Sequence, residues 1–249
     1  MNPQSESDLQ AFRHELLAWW ALPGNSRPYP WRESDNRTPY RALIAEIMLR
    51  RTRADQVAST YRSFLLRYPT LRDALAAPEV DIRSALYPLG LVWRIDNVIE
   101  LFRALRVSAS EASDIPADYT ELLQLPGVGD YVASAIMCFA GGDSTATLID
   151  VNVTRVLGRI FGLPVHPEAR RQKPMRDLAV RAVDRARTDA YHYAILDFAA
   201  LVCVAGKPRC SDCPMGRARC CNYYLNVYDQ NAATVVGNTY QTVQGEEEE

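Results

Sequence analysis

An all-α protein is what this sequence predicts, on three observations. Apolar residues recur at three- and four-residue steps almost everywhere. Runs that alternate with period two are scarce, and prolines and glycines cut the chain into short segments with short connections. Leu9, Phe12, Leu16, Leu17 and Trp20 carry a first amphipathic helix, which ends at the Pro23-Gly24 break. Residues 23–39 hold Pro23, Pro28, Pro30 and Pro39 and read as loop. Pro39 suits the first turn of a helix running to Arg53. Further helices are expected at 54–67, 71–76, 79–87, 92–107, 118–124, 130–140, 152–161, 173–186 and 189–203. Pro69, Pro78, Pro88-Leu89-Gly90, Pro116, Pro126-Gly127, Gly141-Gly142 and Pro164 separate them. From Asn222 the helical stripe dissolves, so residues 222–249 read as a flexible tail, with room for a short ordered portion, ending in an acid run.

The 249 residues are 48% hydrophobic, enough for a packed core and too apolar for a mainly disordered chain. No apolar run reaches membrane-spanning length, and MNPQSESDLQAF lacks the basic start and apolar stretch of a signal peptide. An intracellular protein is expected, and its six cysteines then point to metal or chemistry rather than disulfides.

The charges are pointed. Lys173 and Lys207 are the two lysines among 28 basic residues, which excludes any lysine-amine mechanism in the first two thirds of the chain. The net charge of −2 argues against nucleic acid, but Glu246 to Glu249 supply −4, leaving +2 over residues 1–245. Residues 27–67 hold nine arginines against Glu33, Asp35, Glu46 and Asp55, a local +5. Such a segment is either a solvated arginine surface or a phosphate-binding face.

Cys203, Cys210 and Cys213 are followed by the pair Cys220-Cys221, giving C-x6-C-x2-C-x6-C, or x7 if Cys221 is the fourth ligand. Four thiolates this close in sequence can converge on one centre, with Lys207, Arg209, Arg217 and Arg219 to offset their charge. Such a centre would staple a core-poor loop, and the spacing alone leaves zinc and a [4Fe–4S] cluster equally open.

Leu125-Pro126-Gly127-Val128-Gly129 lies between one apolar helix end and a new helix from Tyr131. The two glycines permit a tight turn with amides at a helix N-terminus, an anion site suited to a DNA phosphate. Asp150 follows nineteen residues after Tyr131 and precedes an apolar helix, where an N-cap is the ordinary reading. Glu46 is the sole charge in Ala42–Leu49, and helical phase sets it beside core positions. It is either paired with a nearby arginine or held at raised pKa for proton transfer.

Taken in order, these motifs resemble the helix–hairpin–helix DNA glycosylases of base-excision repair. The likeness runs over residues 8–221 and includes Pro30-Trp31-Arg32, Glu46-Ile47-Met48-Leu49-Arg50-Arg51-Thr52, Leu89-Gly90-Leu91 with Arg94, and Leu196-Asp197-Phe198. The resemblance implies two helical domains with a DNA cleft between them. One is a six-helix barrel with the hairpin (35–151); the other is an iron–sulfur domain built from both chain ends (1–34 and 152–221). It implies a [4Fe–4S] cluster on Cys203, Cys210, Cys213 and Cys220, with Cys221 as the alternative fourth ligand. Arg51 matches the family's wedge position, and Arg50, Leu125, Gly127, Val128 and Gly129 would join it on DNA. Asp150 matches the carboxylate that stabilises the sugar cation, while Glu46 matches the residue that meets the departing base or positions water.

The bifunctional members carry a lysine two residues after the second hairpin glycine, where this chain has Tyr131. Adenine glycosylases carry a serine there, with a further C-terminal domain for which too few residues follow Cys221. Tyr131 beside Glu-Ile-Met-Leu-Arg-Arg-Thr most resembles the G:T and G:U mismatch glycosylases. The expectation is therefore a monofunctional enzyme, monomeric, cytoplasmic or nucleoid-associated, that acts on double-stranded DNA with a mismatched or damaged base and touches no membrane. An adenine or other-lesion glycosylase is the enzymatic alternative. A silent DNA-binding module is the alternative from another class.

Overall fold

The computed structural model describes residues 5–90, 92–108 and 115–228. Ser5 opens α1 (Glu6–Trp20) with a reciprocal cap: its hydroxyl accepts from the Asp8 amide, and the Asp8 carboxylate accepts from the Ser5 amide. The chain next builds α2 (Pro39–Leu49), α3 (Ala54–Arg67), α4 (Leu71–Ala76), α5 (Glu79–Leu86), α6 (Val92–Ser108), the one-turn α7 (Tyr119–Leu122) and α8 (Asp130–Phe139). It continues with α9 (Val151–Phe161), α10 (Lys173–Ala182), α11 (Thr188–Leu201), α12 (Pro214–Arg217) and a π-type turn, Tyr224–Tyr228. No strand occurs among the described residues. No helix among them is long and apolar enough to cross a membrane.

The chain divides into two compact units, Met1–Ser26 with Ile149–Glu249, and Arg27–Leu148. In the central unit Thr38 caps α2 and Pro39 occupies its first turn, as proline's fixed φ allows. The helix buries Leu43, Ile44 and Met48 and packs against α3 and α8. Tyr61 and Tyr40 lie in the same core with their hydroxyls satisfied by the Arg41 and Tyr68 carbonyls at 3.3 and 2.9 Å. In the unit made from the chain ends, Phe12 meets Phe161 and Tyr191 edge-on at 5.5 and 6.2 Å, and Trp19 meets Phe198 at 5.2 Å. The Trp20 indole donates to buried Asp197 at 2.9 Å.

The structure redraws three sequence boundaries. Residues 27–34 join the central unit instead of the chain-end unit, because Trp31 stacks on Tyr29 at 4.8 Å and meets Tyr61 edge-on at 5.7 Å. Residues 149–151 leave it, because Asp150 caps α9, whose apolar face belongs to the chain-end core. The expected helix to Arg53 stops at Leu49, since Arg50 turns to extended backbone (ψ 111°) and Arg51 follows with a left-handed φ of 57°.

The tail expected from 222 is ordered over its first residues. Asn222–Tyr228 are helical, the Leu225 amide donates to the Cys221 carbonyl at 3.1 Å, and Tyr224 stacks on Tyr228 at 5.4 Å. Gly216 makes this possible, for a Cβ there would stand 2.5 Å from the Tyr224 ring. Tyrosines and asparagines give no aliphatic stripe, so the sequence offered no periodic signal. The rest of the expected acidic tail, 229–249, lies outside the described residues.

Phe12→Ala should lower the unfolding free energy by about 3–5 kcal/mol, the usual cost of emptying a fully buried aromatic position, read by urea titration.

Candidate functional site

In the central unit, Glu46 lies mid-way along α2 at 8% exposure, between the buried Ala45 and Ile47. The helix ends three residues later, and the turn into α3 presents Arg50 and Arg51. The Arg50 Nη1 donates to the Gly127 carbonyl at 3.2 Å, which ties this turn to the hairpin.

The hairpin joins α7 to α8. Asp118 caps α7, and the Val128 amide closes the turn on the Leu125 carbonyl at 3.0 Å. The two hairpin glycines serve different ends. Gly127 has φ 77°, a conformation that side chains disfavour. Gly129 has φ −111° in extended backbone and open space where a Cβ would be, so its value is access to the backbone rather than torsional freedom. Gly129 caps α8 without a side-chain hydrogen bond. The Asp130 carboxylate just inside the helix accepts from the Tyr119 hydroxyl at 3.0 Å. Tyr131 follows it, half-buried and packed on the central core, while Val128 is buried and Leu125 packs beside the same cluster.

In the chain-end unit, Asp150 is the N-cap of α9. One carboxylate oxygen accepts from the Asn152 and Val153 amides at 2.8 and 2.7 Å, and the other accepts from Asn152 Nδ2 at 2.7 Å. The capping geometry leaves the side chain no freedom to turn away. A fixed negative charge is thereby held at one end of the helix.

At the other side of α9 lie the cysteines. Cys203, Cys210, Cys213 and Cys221 line one small cavity, together with Arg159, Arg209 and Tyr223. Cys220 is absent from that lining, and its Sγ turns toward Met215 instead, 3.5 Å from the carbonyl and 3.8 Å from the sulfur. The fourth thiol lining the cavity is thus Cys221, the alternative that the spacing had left open beside Cys220. Adjacent residues on a turn point in different directions, and spacing cannot tell which one points inward. Among the described residues no three His, Cys, Asp or Glu side chains stand close enough to share one metal ion. Burial pushes the Cys213 thiol up to about 11 and the Cys221 thiol up to about 12.

The sequence pattern of the HhH-GPD superfamily base excision DNA repair proteins matches residues 44–179, over half of the chain. The chain belongs to this superfamily. A thymine-DNA glycosylase of Aeropyrum pernix is 34% identical over 224 residues, covering 88% of this chain and 96% of that one. A thymine/uracil-DNA glycosylase of Methanothermobacter thermautotrophicus is 32% identical over 225 residues, covering 90% and 98%. The solved structure of a thermostable thymine-DNA glycosylase superposes with a TM-score of 0.77 at 32% identity, covering 88% of this chain and 97% of that one.

Within this HhH-GPD chain, two features of the candidate site escaped the sequence. The cations that serve the cysteine loop were expected in the loop itself, yet α9 supplies two of them. Arg155 donates to the Cys203 and Ala199 carbonyls at 2.9 and 3.0 Å; Arg159 donates to the Val204 and Ala205 carbonyls at 2.7 and 3.1 Å and lies 3.5 Å from Cys203 Sγ. Their four-residue spacing on one helix face was the available signal. The second is Trp93, which stands beside both Arg50 and Arg51 although it lies more than forty residues away in sequence.

Asp150→Ala should cost about 1 kcal/mol of stability through the lost cap, while Asp150→Asn should cost a few tenths at most, because asparagine caps as well as aspartate. Thermal melting of the two variants checks this.

Proposed function

We propose that this protein is a monofunctional DNA glycosylase that hydrolyses the N-glycosidic bond of a thymine or uracil mispaired with guanine, leaving an intact abasic strand. The observation that carries the reading is Tyr131. It stands where lyase-type relatives need a lysine amine, no lysine precedes position 173, and the likeness to thymine-DNA glycosylases runs over nearly the whole chain.

The target base is out of reach in a stacked duplex, so the nucleotide must be flipped. The Gly127–Gly129 backbone with Leu125 and Val128 would hold a phosphate beside the uncapped start of α8, and Arg51 would fill the gap with Arg50 beside it. As the carbon–nitrogen bond breaks, positive charge grows on the sugar. Water then adds at the anomeric carbon, and the base leaves with a proton. Asp150 is suited to this, because its charge is already fixed by three hydrogen bonds and need not reorganise as the cation forms. Glu46, buried among apolar residues, would meet the departing base or position the water. The Tyr131 ring would stack on, or hydrogen-bond to, the pyrimidine. The partner is duplex DNA with the mispair, and the protein acts as a monomer.

The cysteine loop is read as the seat of a [4Fe–4S] cluster, because four thiols line one space with an arginine among them and the likeness to helix–hairpin–helix glycosylases favours that group. Cys203, Cys210, Cys213 and Cys221 would hold it, with Arg159 offsetting thiolate charge. When bound, the group would supply structure by cross-linking the loop from Cys203 to Cys221 through four thiolates.

Two measurements test these assignments. Duplexes with G:T, G:U and adenine opposite 8-oxoguanine, incubated and then cleaved with alkali, should break at the thymine and uracil sites. Asp150→Asn should slow that release by about a hundredfold or more. Cleavage confined to the adenine duplex overturns the substrate, and an unaltered Asp150→Asn variant overturns the catalytic role. The purified protein should be brown, with broad visible absorption that Cys221→Ser loses and Cys220→Ser keeps. Colourless protein with stoichiometric zinc refutes the cluster.

A further inference from the structure

The turn between α2 and α3 is strained at an informative position. Arg51 adopts φ 57°, a region in which glycine is at ease and a long side chain is not. A residue kept there persists when its surroundings hold it, and such outliers cluster at functional sites. The surroundings are on α6. Trp93 lies near the start of that helix, just after the left-handed Gly90 (φ 66°), and stays 40% exposed. The Arg51 guanidinium carbon is 5.9 Å from its indole ring and that of Arg50 is 6.0 Å away. Arg50 has a second anchor in the Gly127 carbonyl, whereas Trp93 is the aromatic partner of Arg51.

Two adjacent cations repel each other, and each is drawn to the negative face of an aromatic ring. An indole between them and the helix therefore lowers the cost of holding both guanidinium groups forward in one place. An arginine free to explore its many rotamers would have to be ordered at the moment of DNA binding; one seated on a ring is ordered beforehand.

We propose that Trp93 is the positioning residue for Arg51: it holds the guanidinium over its ring in the free enzyme, so that Arg51 enters the gap left by the flipped nucleotide already oriented. This rests on the glycosylase reading above. Trp93 itself touches neither the base nor the sugar, and its effect runs entirely through Arg51.

The test places 2-aminopurine next to a G:T mispair and reads the fluorescence rise on unstacking for the wild type, Trp93→Ala, Trp93→Phe, Arg51→Ala and the double variant Trp93→Ala/Arg51→Ala. Trp93→Ala should cut the rise about two- to fivefold, and Trp93→Phe should recover most of it, as a smaller ring still offers a face. The double variant should be no worse than Arg51→Ala alone, because the two residues act in one chain of effect. No rise in the wild type, an unchanged Trp93→Ala, a Trp93→Phe no better than Trp93→Ala, or losses that multiply in the double variant overturns the proposal. Multiplying losses would mean that Trp93 meets DNA on its own account. Base release by the wild type is measured in parallel; unstacking is read whether or not the bond is cut, so failure of the glycosylase reading shows separately.

Discussion

The burial of one face of α9 is the constraint on which the chain-end unit depends. Val153, Val156, Leu157, Ile160 and Phe161 all sit at or below 4% exposure, against a core that α1, α10 and α11 complete. That packing fixes the helix in rotation and along its axis. Its start must then carry a cap, and Asp150 provides one. Its remaining side chains must reach outward, and Arg155 and Arg159 do so onto the backbone that leads into the cysteine loop. A charge proposed to act on a sugar and a cavity proposed to hold a cluster are thus positioned by a single rigid element. The cap and the proposed catalytic role of Asp150 do not conflict, because capping demands an oriented carboxylate and so does electrostatic stabilisation of a cation.

The central unit reaches its arrangement by a different route. Here Glu46 and Tyr131 lie on helices, but the candidate DNA-contacting residues Arg50, Arg51 and Gly127 to Gly129 lie on turns, and contacts between segments hold those turns in place. Arg50 bonds to the hairpin at Gly127, Tyr119 bonds to Asp130, and the α6 indole stands beside both arginines. The local strain at Arg51 belongs to this scheme. A glycine would relax the turn and surrender the side chain, so the sequence carries an unfavourable torsion where a guanidinium is wanted.

How much was legible differs from residue to residue. The hairpin was readable because glycine and proline punctuate it and because its two helices are only a few residues away. Asp150 as a cap was readable because capping is local, involving the next three residues. The spacing of the cysteines signalled that several of them would converge, and four of them line one cavity. What the sequence could not show was which of Cys220 and Cys221 turns inward, since that depends on the Met215 and Tyr224 packing around Gly216. Nor could it show Arg159 and Trp93 as neighbours of Cys203 and Arg51, because both contacts join distant segments. Nor could it separate the parts of the two hairpin glycines: Gly127 takes a left-handed torsion, while Gly129 leaves backbone uncovered.

The sequence by itself determined the helical class, the breaks, the hairpin, the cap at Asp150, the missing lysine and the cluster of thiols. Each of these is a matter of residue type and near-neighbour spacing, which backbone sterics and periodicity translate directly. The tertiary structure alone decided which thiols face one cavity, which arginines serve that loop, where the two units divide, and what seats the arginines of the α2–α3 turn. Those depend on side-chain direction and on the meeting of residues tens of positions apart, and a linear pattern carries no record of either.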